Sequence, residues 1–164
     1  MENEKSIYQL IKEQEQTGKK FLVPSYQRGY RWQKVNVSDL LNDLCEFIHS
    51  DKTVYSLQPL VVYSSGDNTY HVVDGQQRLT TINLLLKYLE EDVYTILYET
   101  RIASCSMDEY YRTEAEKVIN SWFEKPIKIG ESTYTTKQLK SKFINFLNRY
   151  MIIFYKINKF KIII

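Results

Sequence analysis

The feature that most constrains this chain is a change of hydrophobic period at Val72-Val73-Asp74-Gly75-Gln76-Gln77-Arg78-Leu79. Upstream, Tyr70 to Val73 is short, aromatic and β-branched, which reads as a strand. Downstream, Leu79, Ile82, Leu85, Leu86 and Leu89 recur at helical spacing, which predicts a helix from about Gln77 to Glu90. The chain must therefore pass from strand to helix within a few residues. A helix start presents unpaired N–H groups and the positive end of the helix dipole, so it is a ready anion site. Gly75 lets a ligand approach the backbone. Arg78 adds a fixed positive charge, and Gln76 and Gln77 add amide donors and acceptors. Asp74, the carboxylate of the segment, can hold a magnesium ion or orient a water for attack on a phosphate. A purely structural alternative is a capped helix, with Asp74 as N-cap and Gln77 returning the bond. That alternative leaves Arg78 unexplained, because a cation in the first turn opposes the dipole.

A second segment, Val23-Pro24-Ser25-Tyr26-Gln27-Arg28-Gly29-Tyr30-Arg31-Trp32, concentrates basic and aromatic residues where Pro24 and Gly29 disfavour regular structure. Arg28 and Arg31 can each fork two hydrogen bonds onto a phosphate. Tyr26, Tyr30 and Trp32 offer flat faces for a base. The aromatics can equally plug a core behind a strand.

The remaining pattern mixes both periods. Helices are expected over residues 4–17, from Asn36 or Ser38 to about His49, over 109–124, and from a Thr136 cap with Leu139, Phe143, Phe146, Leu147 and Tyr150 on one face. Strands are expected at 21–23, 59–63, 70–73 and 151–157. The turn chemistry of Ser64 to Asn68 makes a hairpin of the middle pair, and a small hairpin fits around Gly130. The class is α+β. The tail Lys159-Phe160-Lys161-Ile162-Ile163-Ile164 either completes a sheet or belongs to a longer chain, since a free β-branched terminus is an aggregation hazard.

Composition narrows the chemistry. A formal net charge of +2 is too small to argue for nucleic-acid binding in bulk, so any phosphate contact must rest on local arginines. Cys45 and Cys105 form no C-x-x-C pair, and with His49 and His71 as the histidines no zinc pattern can be written. Both thiols read as free and buried, and His71 as a half-buried strand residue. P-loop, dinucleotide-fold and Ser-His-Asp signatures are absent from the sequence. The charged start Met1 to Lys5 has no apolar h-region, and no apolar run approaches the roughly 20 residues of a membrane span. A cytoplasmic protein without a membrane partner is expected.

Val23 to Trp32 together with Val73-Asp-Gly-Gln-Gln-Arg-Leu-Thr-Thr81 resemble the N-terminal domain of GmrSD-type restriction endonucleases, the DUF262 family. The order also fits: YQR segment, helix, hairpin, DGQQR, leucine-rich helix. The resemblance covers about residues 5 to 92. It is looser beyond, resting on Tyr98-Glu99-Thr100-Arg101 and the helical pattern. It implies a ParB/sulfiredoxin-like fold: a small mixed or antiparallel sheet with packed helices and a helical C-terminal half. The division would be a core over 1–92 and a helical continuation over 93–164. It also implies a nucleotide-binding, NTP-hydrolysing sensor of a DNA restriction or phage-defence system, working with Mg2+. Asp74, Gln77 and Arg78 would then be catalytic, with Asp74 also holding the metal. Gly75, Gln76 and Arg78, with Arg28, Gln27 and Tyr26, would bind the nucleotide. Tyr30, Arg31 and Trp32 are the candidates for DNA contact or base stacking. Family proteins often carry an HNH-type nuclease domain, and nuclease activity is not carried over to this chain. A nuclease domain or subunit outside it is a candidate partner. Two alternatives stand beside the sensor: a non-enzymatic DNA or modified-base reader, and a partner-dependent fragment of a larger restriction protein.

Overall fold

Ser6 sets the first boundary. Its hydroxyl accepts from the Gln9 amide at 3.2 Å, and the Gln9 side chain accepts from the Ser6 amide at 2.8 Å. This capping box starts helix α1, Ile7–Thr17, which Gly18 closes in the left-handed conformation at φ 68°. The residues ahead of the cap form strand β1, Glu2–Ser6, where helix was expected from residue 4. The computed structural model describes residues 2–52, 54–64, 68–99, 105–129, 131–149 and 151–158. The further elements are β2 (Lys20–Val23), α2 (Lys34–Ile48), β3 (Tyr55–Ser64), β4 (Thr69–Asp74), α3 (Gln76–Tyr88), β5 (Ile96–Tyr98), α4 (Cys105–Glu124), β6 (Ile127–Ile129), β7 (Ser132–Tyr134), α5 (Thr136–Arg149) and β8 (Met151–Asn158). Ser65 to Asp67 of the expected turn, Gly130, Tyr150, Thr100, Arg101 and Lys159 to Ile164 lie outside the described residues, as does the Cys105 side chain.

The class is α+β, and the main sheet is mixed. Its order is β1-β8-β3-β4-β2-β5, with a separate two-stranded β6-β7 ladder. β3 and β4 are the expected antiparallel pair. β2 runs parallel to both β4 and β5. β8 runs parallel to β3 and antiparallel to β1, so the last apolar run enters the sheet.

Alternation along the strands turns Phe21, Val23, Leu60, Val62, Tyr70 and Val72 into one core with the apolar faces of the helices. His71 stands on the opposite face, half-buried as expected, with its ring 6.1 Å from that of Tyr63. Cys45 is a buried free thiol.

α3 is buried nearly all round, so its polar side chains need partners. The Thr81 hydroxyl bonds that of Tyr30 at 2.8 Å, and Thr80 bonds that of Tyr98 at 2.5 Å. Asn83 donates to the Tyr94 carbonyl at 2.6 Å, and the Tyr94 hydroxyl donates to the Leu79 carbonyl. These bonds tie the Tyr26–Trp32 segment and β5 to α3. Burial pushes the Tyr30 hydroxyl up to about 12 from 10.0, and pushes Tyr94 and Tyr98 up as well. A raised tyrosine favours the neutral phenol in the fold. Its contribution is whole below the unfolded value of 10.0 and is lost as pH climbs through about 12. Urea unfolding in an alkaline series should therefore show stability falling steeply once pH passes 10.0. A flat profile through that window would contradict the burial of these phenols.

Candidate functional site

The strand-to-helix junction is built around one glycine. Gly75 caps α3 in the left-handed region at φ 90°. A Cβ there would stand 3.0 Å from Leu60 Cδ1 and 3.4 Å from Leu60 Cα. Conformation and space both demand glycine. Gly75→Ala should cost about 1–2 kcal/mol of stability, read as a lowered denaturation midpoint. The cap differs from the sequence expectation. Asp74 ends β4 one residue earlier and makes no side-chain cap bond, because the left-handed residue that starts the helix is Gly75. Asp74 is therefore exposed at the cavity, with its carboxylate not consumed by the helix.

Gln77 does not return to the cap either. It is buried, and its Oε1 accepts from the Arg31 amide at 2.7 Å and the Trp32 amide at 3.2 Å, while its Nε2 donates to the Gly29 carbonyl at 2.8 Å. This side chain clips the Tyr26–Trp32 segment onto α3. A second tie comes from Gln27, whose Nε2 donates to the Val73 carbonyl at 2.9 Å. Gln77, expected among the catalytic residues, thus has both ends of its amide engaged by the backbone of this segment while it also lines the cavity.

The two segments meet around one cavity of about 430 Å³, lined by Gln27, Arg28 and Trp32 from the first and by Asp74, Gly75, Gln76, Gln77 and Arg78 from the second. Arg28 is exposed at its rim and Arg78 is half-buried. Arg78 folds back over the junction, with Nη2 3.7 Å from the point a Gly75 Cβ would occupy. Two guanidinium groups and a helix start thus serve one space. Gln76 is only 6% exposed and lines the same cavity.

Other expected residues lie elsewhere. Tyr26 is 66% exposed and does not line the cavity. Tyr30 is 0% exposed with its hydroxyl on Thr81, so its ring packs the core and offers no face to a base. Arg31 is taken by an ion pair with Asp108 of α4 and donates to the Tyr30 carbonyl at 2.6 Å. Of the three stacking candidates, Trp32 reaches the cavity. Asp108 had no signal in the sequence, being 77 positions from its partner.

The site fits a magnesium ion in one manner. Mg2+ commonly takes one or two protein carboxylates and completes its shell with phosphates and water, and Asp74 supplies such a carboxylate. Among the described residues no three His, Cys, Asp or Glu side chains gather to hold a metal, and no helix is long and apolar enough to cross a membrane.

Fold and site together define an α+β domain with an arginine-flanked cavity at a strand-to-helix junction. The family model for the GmrSD restriction endonuclease, N-terminal domain, matches residues 7–164. The chain belongs to this family and so to the components of restriction systems. No curated protein matches it.

Proposed function

We propose that this domain is a nucleotide-binding, NTP-hydrolysing sensor of a DNA restriction or phage-defence system. The observation that carries the reading is the cavity that Arg28, Arg78, Asp74 and Gln76 line together at the start of α3. A ligand with its own donors and acceptors can meet the Gln76 amide there, and one with phosphates can meet the two guanidinium groups. In this reading the N–H groups of the α3 start and Arg78 hold the phosphates, Arg28 closes over them from the rim, and Trp32 lies flat against the base. Gln77 and Gln27 hold the two segments in register. Magnesium, when bound, neutralises phosphate charge, and Asp74 anchors it or orients the attacking water. Cutting of DNA belongs to a nuclease domain or subunit that the sensor controls.

Phosphate release from ATP, GTP, CTP and UTP with magnesium tests turnover. Asp74→Ala should lower the rate about a hundredfold. Wild-type turnover in that variant would sink the assignment of Asp74.

A second reading is favoured by the exposure of Tyr26 beside Arg28, an aromatic and a cation free to meet a nucleic acid. A non-enzymatic DNA or modified-base reader would bind DNA with a steep salt dependence. Binding indifferent both to salt and to Arg28→Ala would count against it.

A further inference from the structure

The segment that lines one wall of the cavity is also held from behind, by α4. The Asp108 carboxylate pairs with Arg31 Nη1. The same carboxylate lies against Gly29, where any added Cβ would run into its oxygens. Arg31 is further fixed by its bond to the Tyr30 carbonyl at 2.6 Å and by the Tyr111 ring, 5.5 Å from its guanidinium carbon. One turn along α4, the Arg112 guanidinium lies 4.3 Å from the Tyr98 ring, whose hydroxyl bonds Thr80 of α3. Residues 29–32 therefore sit between two clamps: Gln77 of α3 on one side and Asp108 of α4 on the other. The Asp108 and Arg31 side chains are 16% and 24% exposed, so the pair is less screened than a surface ion pair.

We propose that Asp108 is a positioning residue of the cavity. By holding Arg31 and abutting Gly29, it sets where Arg28 and Trp32 stand relative to Arg78. It also keeps the charge of Arg31 out of the cavity. Helix α4 is thereby part of the site, although it contributes no lining residue. The proposal rests on the reading of the cavity as a nucleotide site, and the experiment separates the two.

Hydrogen exchange and nucleotide titration are measured on the same proteins: wild type, Asp108→Ala, Asp108→Asn, Arg31→Ala and the Arg31→Ala/Asp108→Ala double variant. In Asp108→Ala, exchange of the Arg31 and Trp32 amides should rise about tenfold, and affinity for whichever of ATP, GTP, CTP or UTP the wild type binds with magnesium should fall about tenfold. Asp108→Asn, which keeps shape and loses charge, should fall between, and it decides the matter if the alanine variant does not fold. The double variant should bind no worse than Arg31→Ala alone. A residue acting on the cavity independently of Arg31 would instead give additive losses. Unchanged exchange across residues 27–32 in Asp108→Asn and Asp108→Ala, or additive losses in the double variant, would overturn the proposal. If the wild type binds none of the four nucleotides, the nucleotide reading falls, while the exchange data still decide whether Asp108 positions the segment.

Discussion

Replacing Gln77 with leucine is expected to destabilise the fold by about 3 kcal/mol. Leucine fills a similar volume, so packing is nearly conserved and the loss is polar. Three backbone groups lose their partner at once: the Gly29 carbonyl and the Arg31 and Trp32 amides. A buried group left unsatisfied costs about 1–3 kcal/mol, and the part-buried amides fall at the lower end because water reaches them. Gln77→Glu should fare better at Arg31 and Trp32, where a carboxylate still accepts, and worse at Gly29, where the donor is gone. Urea denaturation reads both variants. Gln77→Leu within about 0.5 kcal/mol of wild type would mean that this side chain does not hold the segment.

Removing the guanidinium of Arg78 is the second large effect, and it falls on binding. Each hydrogen bond to a charged group contributes about 1.5–3 kcal/mol, so Arg78→Ala should weaken nucleotide affinity about a hundredfold. The position explains the size: the group is half-buried and folded over Gly75, where the helix start already favours an anion. Arg78→Lys should recover part of the loss, because an ammonium keeps the charge without the planar fork. Arg28→Ala should cost less and should matter less still at high salt, because Arg28 stands exposed at the rim. Calorimetric titration distinguishes these cases. Affinity unchanged in Arg78→Ala would remove the residue from the site.

The elements that the sequence made legible are those with a sustained period. α3 and the β3–β4 pair carry their own signal in local alternation, and both fall where expected to within a few residues. β1 and β5 do not. They are short, and what makes them strands is a partner far along the chain, β8 for one and β2 for the other. The site follows the same division. That Asp74, Gly75, Gln76 and Arg78 stand at a helix start was readable from the change of period. That Gln27 and Arg28 join them was not readable from the residues themselves and came from the resemblance, which put Tyr26 there too; Trp32 was expected at DNA or a base, and the structure brings it to the same cavity in place of Tyr26. Roles decided by long-range bonds stayed hidden. The partners of Gln77 at Gly29, Arg31 and Trp32 had no local signal. Tyr30 and Trp32 are both aromatic residues of one loop, yet Thr81 draws the first into the core and leaves the second at the cavity. Arg31 resembled a phosphate ligand because its counter-ion, Asp108, belongs to a helix that no local pattern connects to it.

The most direct test is a crystal structure of the domain with a nucleoside triphosphate and magnesium at saturating concentration. The expected result places the phosphates at the start of α3 after Gly75, with Arg28 and Arg78 both on them, the Gln76 amide bonded to the ligand or to a water it holds, and the metal between the phosphates and Asp74. A nucleotide bound elsewhere, or a cavity that stays without one, would contradict the account.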